Sequence, residues 1–224
     1  SQHYLQALGF MENLFNFVRF ESLGQTQHRT AMKRFSIIAI LLLAALQTFG
    51  AVRLPAVLSD GMVLQRNQPI KVWGWADSDE KFEISWNGET YHVSAYADGR
   101  WEIELPAMPA GGPYVMKVGY IELHDILIGD VFLCSGQSNM ELPVRRVTDM
   151  FAEEIAGYEN SFIRHYAVPQ TFDFNAAQED TPASSWKPCM QENVMNFSAL
   201  AYFFAKELYE KTGVPVGLVN ASWG

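Results

Sequence analysis

The sequence predicts a chain in two parts, a small β-sandwich over residues 51–127 followed by an α/β layer with a parallel sheet over residues 128–224. Three observations carry this. From Val52 to Leu127 apolar and polar residues alternate with period two and are punctuated by glycine turns. After Asp130 the alternation stops. A helical run, Phe197 to Lys211, then stands between two short apolar runs, Phe162 to Val168 and Val216 to Val219.

In the first part, Phe82, Ile84 and Trp86 alternate with Glu83 and Ser85, and Tyr91, Val93 and Ala95 alternate with His92 and Ser94. Asn87-Gly88 between them accepts the positive backbone angles of a type I′ turn, so the pair reads as a hairpin. Asp98-Gly99 leads into Trp101, Ile103 and Leu105, and Gly111-Gly112-Pro113 leads into Tyr114 to Val118. Short strands at this spacing predict a sandwich.

In the second part, Val131-Phe132-Leu133-Cys134 reads as a buried strand that gives way to the small polar turn Ser135-Gly136-Gln137-Ser138-Asn139. Thr148 to Gly157 reads as a short helix. Gln170 to Asn196 is a long polar loop with Trp186 as its one large apolar anchor, either the rim of a site or an irregular excursion. In Phe197 to Lys211 the residues Leu200, Phe203, Phe204 and Leu208 define the predicted apolar face, and Gly213 and Pro215 end the helix.

The chain has 224 residues, 49% hydrophobic, enough for one large or two modest cores. Lys33 and Arg34 precede an apolar run from Ile37 to Leu46, and Gly50-Ala51 follow. This is the pattern of a secretory leader over 32–50, too short to span a bilayer, and it implies a secreted or periplasmic protein with no membrane association after cleavage. Residues 1–31 show no convincing periodicity and read as a non-native upstream extension. The formal charge of −9 becomes −11 without residues 1–50, since the 16 basic residues lose four and the 25 acidic ones lose two. With no basic run suited to phosphates, nucleic acid is excluded as a partner. Cys134 reads as a buried small hydrophobe rather than half of a disulfide with Cys189, no zinc-ligand spacing occurs, and no cofactor is expected.

In an open α/β sheet ligands collect beyond the carboxyl ends of the strands, where Gly136 to Ser138 lies. A serine there acts as a nucleophile only with a base for its proton and with free N–H groups for the oxyanion. By spacing alone such a turn after a strand is structural far more often than catalytic. The residues themselves are more specific: GQSNME at 136–141 resembles the nucleophile block of the sialate O-acetylesterase family of SGNH hydrolases. LSDGMVLQR (58–66), VWGWAD (72–77), ADGRW (97–101), LPAMPAGGPY (105–114) and GVPVGLVNASWG (213–224) resemble that family in the same order.

The resemblance implies a β-sandwich leading into an incomplete flavodoxin-like, three-layer α/β domain that removes acetyl groups from sugar hydroxyls. The expected partner is O-acetylated sialic acid or another acetylated glycan. Ser138 matches the nucleophile and donates its own N–H to the oxyanion; Gly224 matches the glycine that supplies a second N–H, in a turn set up by Asn220, Ser222 and Trp223. Family members carry a further polar oxyanion donor and an Asp-x-x-His segment later in the chain, which the 224 residues do not contain, so the chain reads as the front part of a longer protein and no esterase activity is expected of it alone. His92, His124 and His165 read as structural or incidental.

Trp73, Trp75, Trp86 and Trp101 read either as a platform for sugar rings or as core. Arg145 and Arg146 either reach a sialic acid carboxylate or lie solvated at the surface. Asn196-Phe197-Ser198 and Asn220-Ala221-Ser222 match the glycosylation pattern, although the first also fits a helix cap. Two other readings stand beside the first: an acetylxylan-type esterase of the same branch, and a non-catalytic carbohydrate-binding protein.

Overall fold

The computed structural model describes residues 52–224. The extension 1–31 and the leader 32–50 lie outside the described residues. Strands β1 (Val63–Gln65), β2 (Ile70–Trp75), β3 (Lys81–Trp86), β4 (Glu89–Ser94), β5 (Arg100–Leu105) and β6 (Gly111–Val118) precede a long strand, β7 (Ile121–Gly136). Asn87 and Gly88 turn β3 into β4 with φ of 50° and 84°, the two positive angles the Asn-Gly pair predicts.

β4, β3, β6 and the first half of β7 form one antiparallel run, while β2 and β5 pair separately. The two sheets share one apolar core. Val72, Trp101 and Leu105 from β2 and β5 are buried with Ile84, Met116 and Ile126 from the larger sheet, and the Phe82 and Trp101 rings meet edge-on at 5.1 Å. Alternation along β2 turns Val72 inward and leaves Trp73 outward. Trp86 and Trp101, two of the four tryptophans considered for a sugar platform, are core residues, 2% and 1% exposed.

β7 does not stop where the grammar of the sequence changes. Its pairing with β6 shifts register around Asp125, whose φ is 57°, and the strand then runs on beside β1 and β10 (Val216–Ser222), both parallel to it. The boundary between residues 127 and 128 therefore falls inside one continuous strand. β10 pairs in turn with β8 (Asn160–Ala167), and β9 (Trp186–Cys189) closes the sheet antiparallel to β8. Of the parallel strands, β1 lies against β7, and those after residue 120 follow in the order β7-β10-β8. A flavodoxin-type sheet would set the first strand between the second and third.

Four helices complete the described residues: α1 (Ser138–Glu141), α2 (Ala152–Ile155), α3 (Gln191–Val194) and α4 (Ala199–Thr212). The helix expected over Thr148 to Gly157 shrinks to α2. The long polar segment is more ordered than expected, because it holds β9 and α3. Its anchor is Trp186, which is buried and donates from Nε1 to the Val57 carbonyl at 2.8 Å.

α4 begins at Ser198, whose side chain accepts from Ala201 N, and ends at a left-handed Gly213. Its buried face is Ala199, Ala201, Tyr202 and Ala205, not the predicted one. Leu200 and Phe204 are exposed, while Phe203 and Leu208 pack at the margin of the second core. Small alanines let a helix approach its sheet closely, and the bulkier neighbours are displaced to the flanks. The second core joins this helix to Ile163, Val216 and Leu218 of the parallel strands and to Cys134 and Cys189, which are both buried and unpaired.

The two cores are stitched together by charge. Arg164 on β8 is 5% exposed and donates to both Asp125 oxygens, at 2.9 and 3.1 Å, and to the carbonyls of Gly61 and Ser161. No helix among the described residues is long and apolar enough to cross a membrane.

Candidate active site

Both blocks singled out in the sequence end at one place. β7 and β10 are parallel and in register from Asp130 beside Val216 to Gly136 beside Ser222, so their carboxyl ends emerge side by side. Trp223 N–H donates to the Gly136 carbonyl at 2.9 Å, tying the two exits together. Gly136 has a φ of 156°, which L side chains avoid, and this lets the chain break from β7 into the turn that opens α1 at Ser138.

Ser138 is exposed at the mouth of the sheet. Gly224 packs onto it so closely that a Cβ there would lie 2.5 Å from the Ser138 nitrogen and 2.6 Å from its Cα. Only glycine fits this contact, so Ser138 and Gly224 are held backbone against backbone. They edge a cavity of about 730 Å³ that Arg145, Arg146, Gln170, Asn196, Asn220 and Ser222 also line.

Arg145 and Arg146 are both exposed, and Arg145 Nη1 donates to Asn196 Oδ1 at 2.7 Å. Asn220 Oδ1 accepts from Ser222 Oγ at 2.7 Å, which braces the second turn. Both asparagines of the glycosylation-like triplets are thus engaged at the site, and Ser198, not Asn196, caps α4.

Glu141 also lies at this site, although sequence reasoning did not single it out. Its Oε2 accepts from Gly224 N at 2.8 Å and its Oε1 accepts from Gln170 Nε2 at 2.8 Å. A signal was present: Ser138 and Glu141 are three residues apart in a helical turn and so share a face. The consequence is chemical. Gly224 N–H must leave this carboxylate before it can stabilise charge on a substrate oxygen.

Among the described residues no histidine lines the cavity that holds Ser138. His92 and His124 are exposed beside Glu83 and Glu122 on the antiparallel strands. His165 is 3% exposed and stacks on Phe197 at 4.5 Å, and burial drives its pKa down to about 4, which keeps it neutral. None of the three is placed as a base for Ser138.

The burial of His165 has a consequence for stability. Its folded pKa of about 4 lies below the ordinary value of 6.5, so the unfolded chain binds the proton more readily. The stabilising contribution is whole above pH 6.5 and is lost as pH falls towards 4, by about 3 kcal/mol. Urea denaturation at pH 7 and pH 4.5 should show a smaller acid loss for His165→Phe than for the unmodified chain. Equal losses would remove His165 as the cause.

No family model matches the chain. Among curated proteins it is 28% identical over 197 residues to a sialate O-acetylesterase of Pongo abelii, covering 77% of this chain and 37% of that protein. It is 33% identical over 138 residues to a sialate O-acetylesterase of Rattus norvegicus, covering 55% of this chain and 26% of that protein. The chain thus spans well under half the length of these relatives. Among solved structures, a carbohydrate acetylesterase from Xanthomonas citri superimposes with a TM-score of 0.73 at 40% identity, over 78% of this chain and 41% of that one.

Proposed function

We propose that this chain, a homologue of the sialate O-acetylesterases, carries the nucleophile and two oxyanion donors of an esterase that removes acetyl groups from sugar hydroxyls. The observation that carries the reading is the contact of Gly224 with the Ser138 backbone at the shared end of β7 and β10. It supports a site in which the turns after β7 and β10 meet beside an exposed serine.

In the reaction Ser138 Oγ attacks the acetyl carbonyl carbon, and the Ser138 and Gly224 amides take the charge that develops on its oxygen. The sugar leaves as its hydroxyl with the proton taken from the serine, and water releases acetate from the acetylated serine. The proton needs a base. Because none of the described histidines lines the cavity, that base comes from outside residues 52–224.

Sialic acid is favoured as the acetylated sugar by Arg145 and Arg146, which border the cavity and suit a carboxylate. An acetylxylan-type substrate is the second reading, and it makes no use of these arginines. The leader over 32–50 adds export to the proposal, towards the secreted or periplasmic glycans such an enzyme would meet. The test is acetate release from 4-nitrophenyl acetate and from O-acetylated sialic acid, measured for this chain and for the chain extended to its relatives' length. Turnover is expected only from the second, and Ser138-dependent turnover by the first would overturn the assignment of the base.

A further inference from the structure

The cavity at Ser138 continues. Gln170 and Ser222 also line a second cavity, of about 550 Å³, under the segment 178–181, and Trp73 and Glu179 pass from that one into a third, of about 500 Å³, on the outer face of β2 and β5. Each is of a size that holds a small ligand. The three form an arm leading from the nucleophile to the antiparallel strands.

The arm is aromatic on its floor and acidic on its walls. Trp73 presents its outward side to both distal cavities, and Trp223, 48% exposed, lines the middle one next to Gly224. Phe172 and Phe174, 71% and 92% exposed, gather beside Trp223, with Phe172 6.2 Å from its ring. Exposed aromatics clustered at a site mark a binding surface. Trp75 is excluded as a platform, since Arg53 covers its ring at 4.4 Å.

The charged groups of the two distal cavities are Asp98, Glu102, Glu179 and Asp180 against one cation, Arg100, which is committed to Asp98 at 2.9 Å. An anionic sugar is repelled there. A neutral pyranose is suited, because its flat C–H face covers an aromatic ring while its hydroxyls donate to carboxylates.

We propose that this arm binds neutral sugar units adjoining the acetylated one, so that the substrate is an oligosaccharide rather than a free sugar, with Trp73 and Trp223 as its stacking residues. The proposal rests on the esterase reading for what occupies the Ser138 end, but it is tested by binding alone. Xylotetraose and cellotetraose are titrated calorimetrically into the chain. A neutral tetrasaccharide is expected to bind at millimolar concentration, about ten-fold more weakly after Trp73→Ala and after Trp223→Ala, and unchanged after Ser138→Ala. Trp223→Ala guards against misfolding, since that side chain is half in solvent. Absence of binding by both neutral sugars, or indifference to Trp223→Ala, would each overturn the arm and leave the role of Ser138 standing.

Discussion

Ser138→Ala, in the chain extended to the length of its relatives, is expected to lower acetate release from 4-nitrophenyl acetate by a factor on the order of 10⁵ to 10⁶. The size follows from the role: without the hydroxyl no acyl intermediate forms, and the amides alone stabilise a charge that nothing creates. The thermal midpoint should not move, because the Ser138 side chain is exposed and its hydroxyl has no hydrogen-bond partner among the described residues. Gly224→Ala tests the backbone contact between the two turns. It forces a Cβ to within 2.5 Å of the Ser138 nitrogen and 2.6 Å of its Cα, so it displaces the oxyanion amides while keeping the serine hydroxyl and should cost at least about 10² to 10³ in turnover. Full activity in Ser138→Ala would remove the serine from the chemistry, and full activity in Gly224→Ala would remove the second amide from the oxyanion site.

Asp125→Asn should destabilise the fold. It leaves the guanidinium of Arg164, 5% exposed, with neutral partners only. The Asp125 carboxylate is itself 55% exposed, so the loss should fall below that of a fully buried pair, about 2–3 kcal/mol. For a domain of this size that is a fall of roughly 5–12 °C in Tm. Asparagine tolerates the positive φ at this position, so the backbone is spared as a cause. The exposed Arg100–Asp98 pair is the internal comparison, and Asp98→Asn should leave Tm unchanged. A wild-type Tm for Asp125→Asn would show that Arg164 is held by the carbonyls of Gly61 and Ser161 alone.

Much of the arrangement was legible in the residues. Period-two alternation and turn dipeptides located the β3–β4 hairpin, and the break at Gly136 located the mouth of the sheet; alternation set Trp73 opposite Val72 without saying which of them faces out. These are local signals, set by backbone angles and by the solvent on one side. The buried face of α4 was not legible, because hydrophobicity ranks leucine and phenylalanine above alanine while the sheet selects for small side chains. β9 was hidden for a related reason: Trp186-Lys187-Pro188-Cys189 has little strand pattern and is held by β8 and by the Val57 carbonyl. The pairing of Ser138 with Gly224 came from the resemblance. Nothing in the spacing brings positions 86 residues apart together; the parallel register of β7 and β10 does so.

That β7 serves both sheets bears on how such a protein can be assembled and rearranged. A gene fusion joined at residue 127 would sever a hydrogen-bonded strand midway and leave two open edges rather than two self-contained modules. The antiparallel layer and the serine turn, joined by β7, should therefore travel together through recombination.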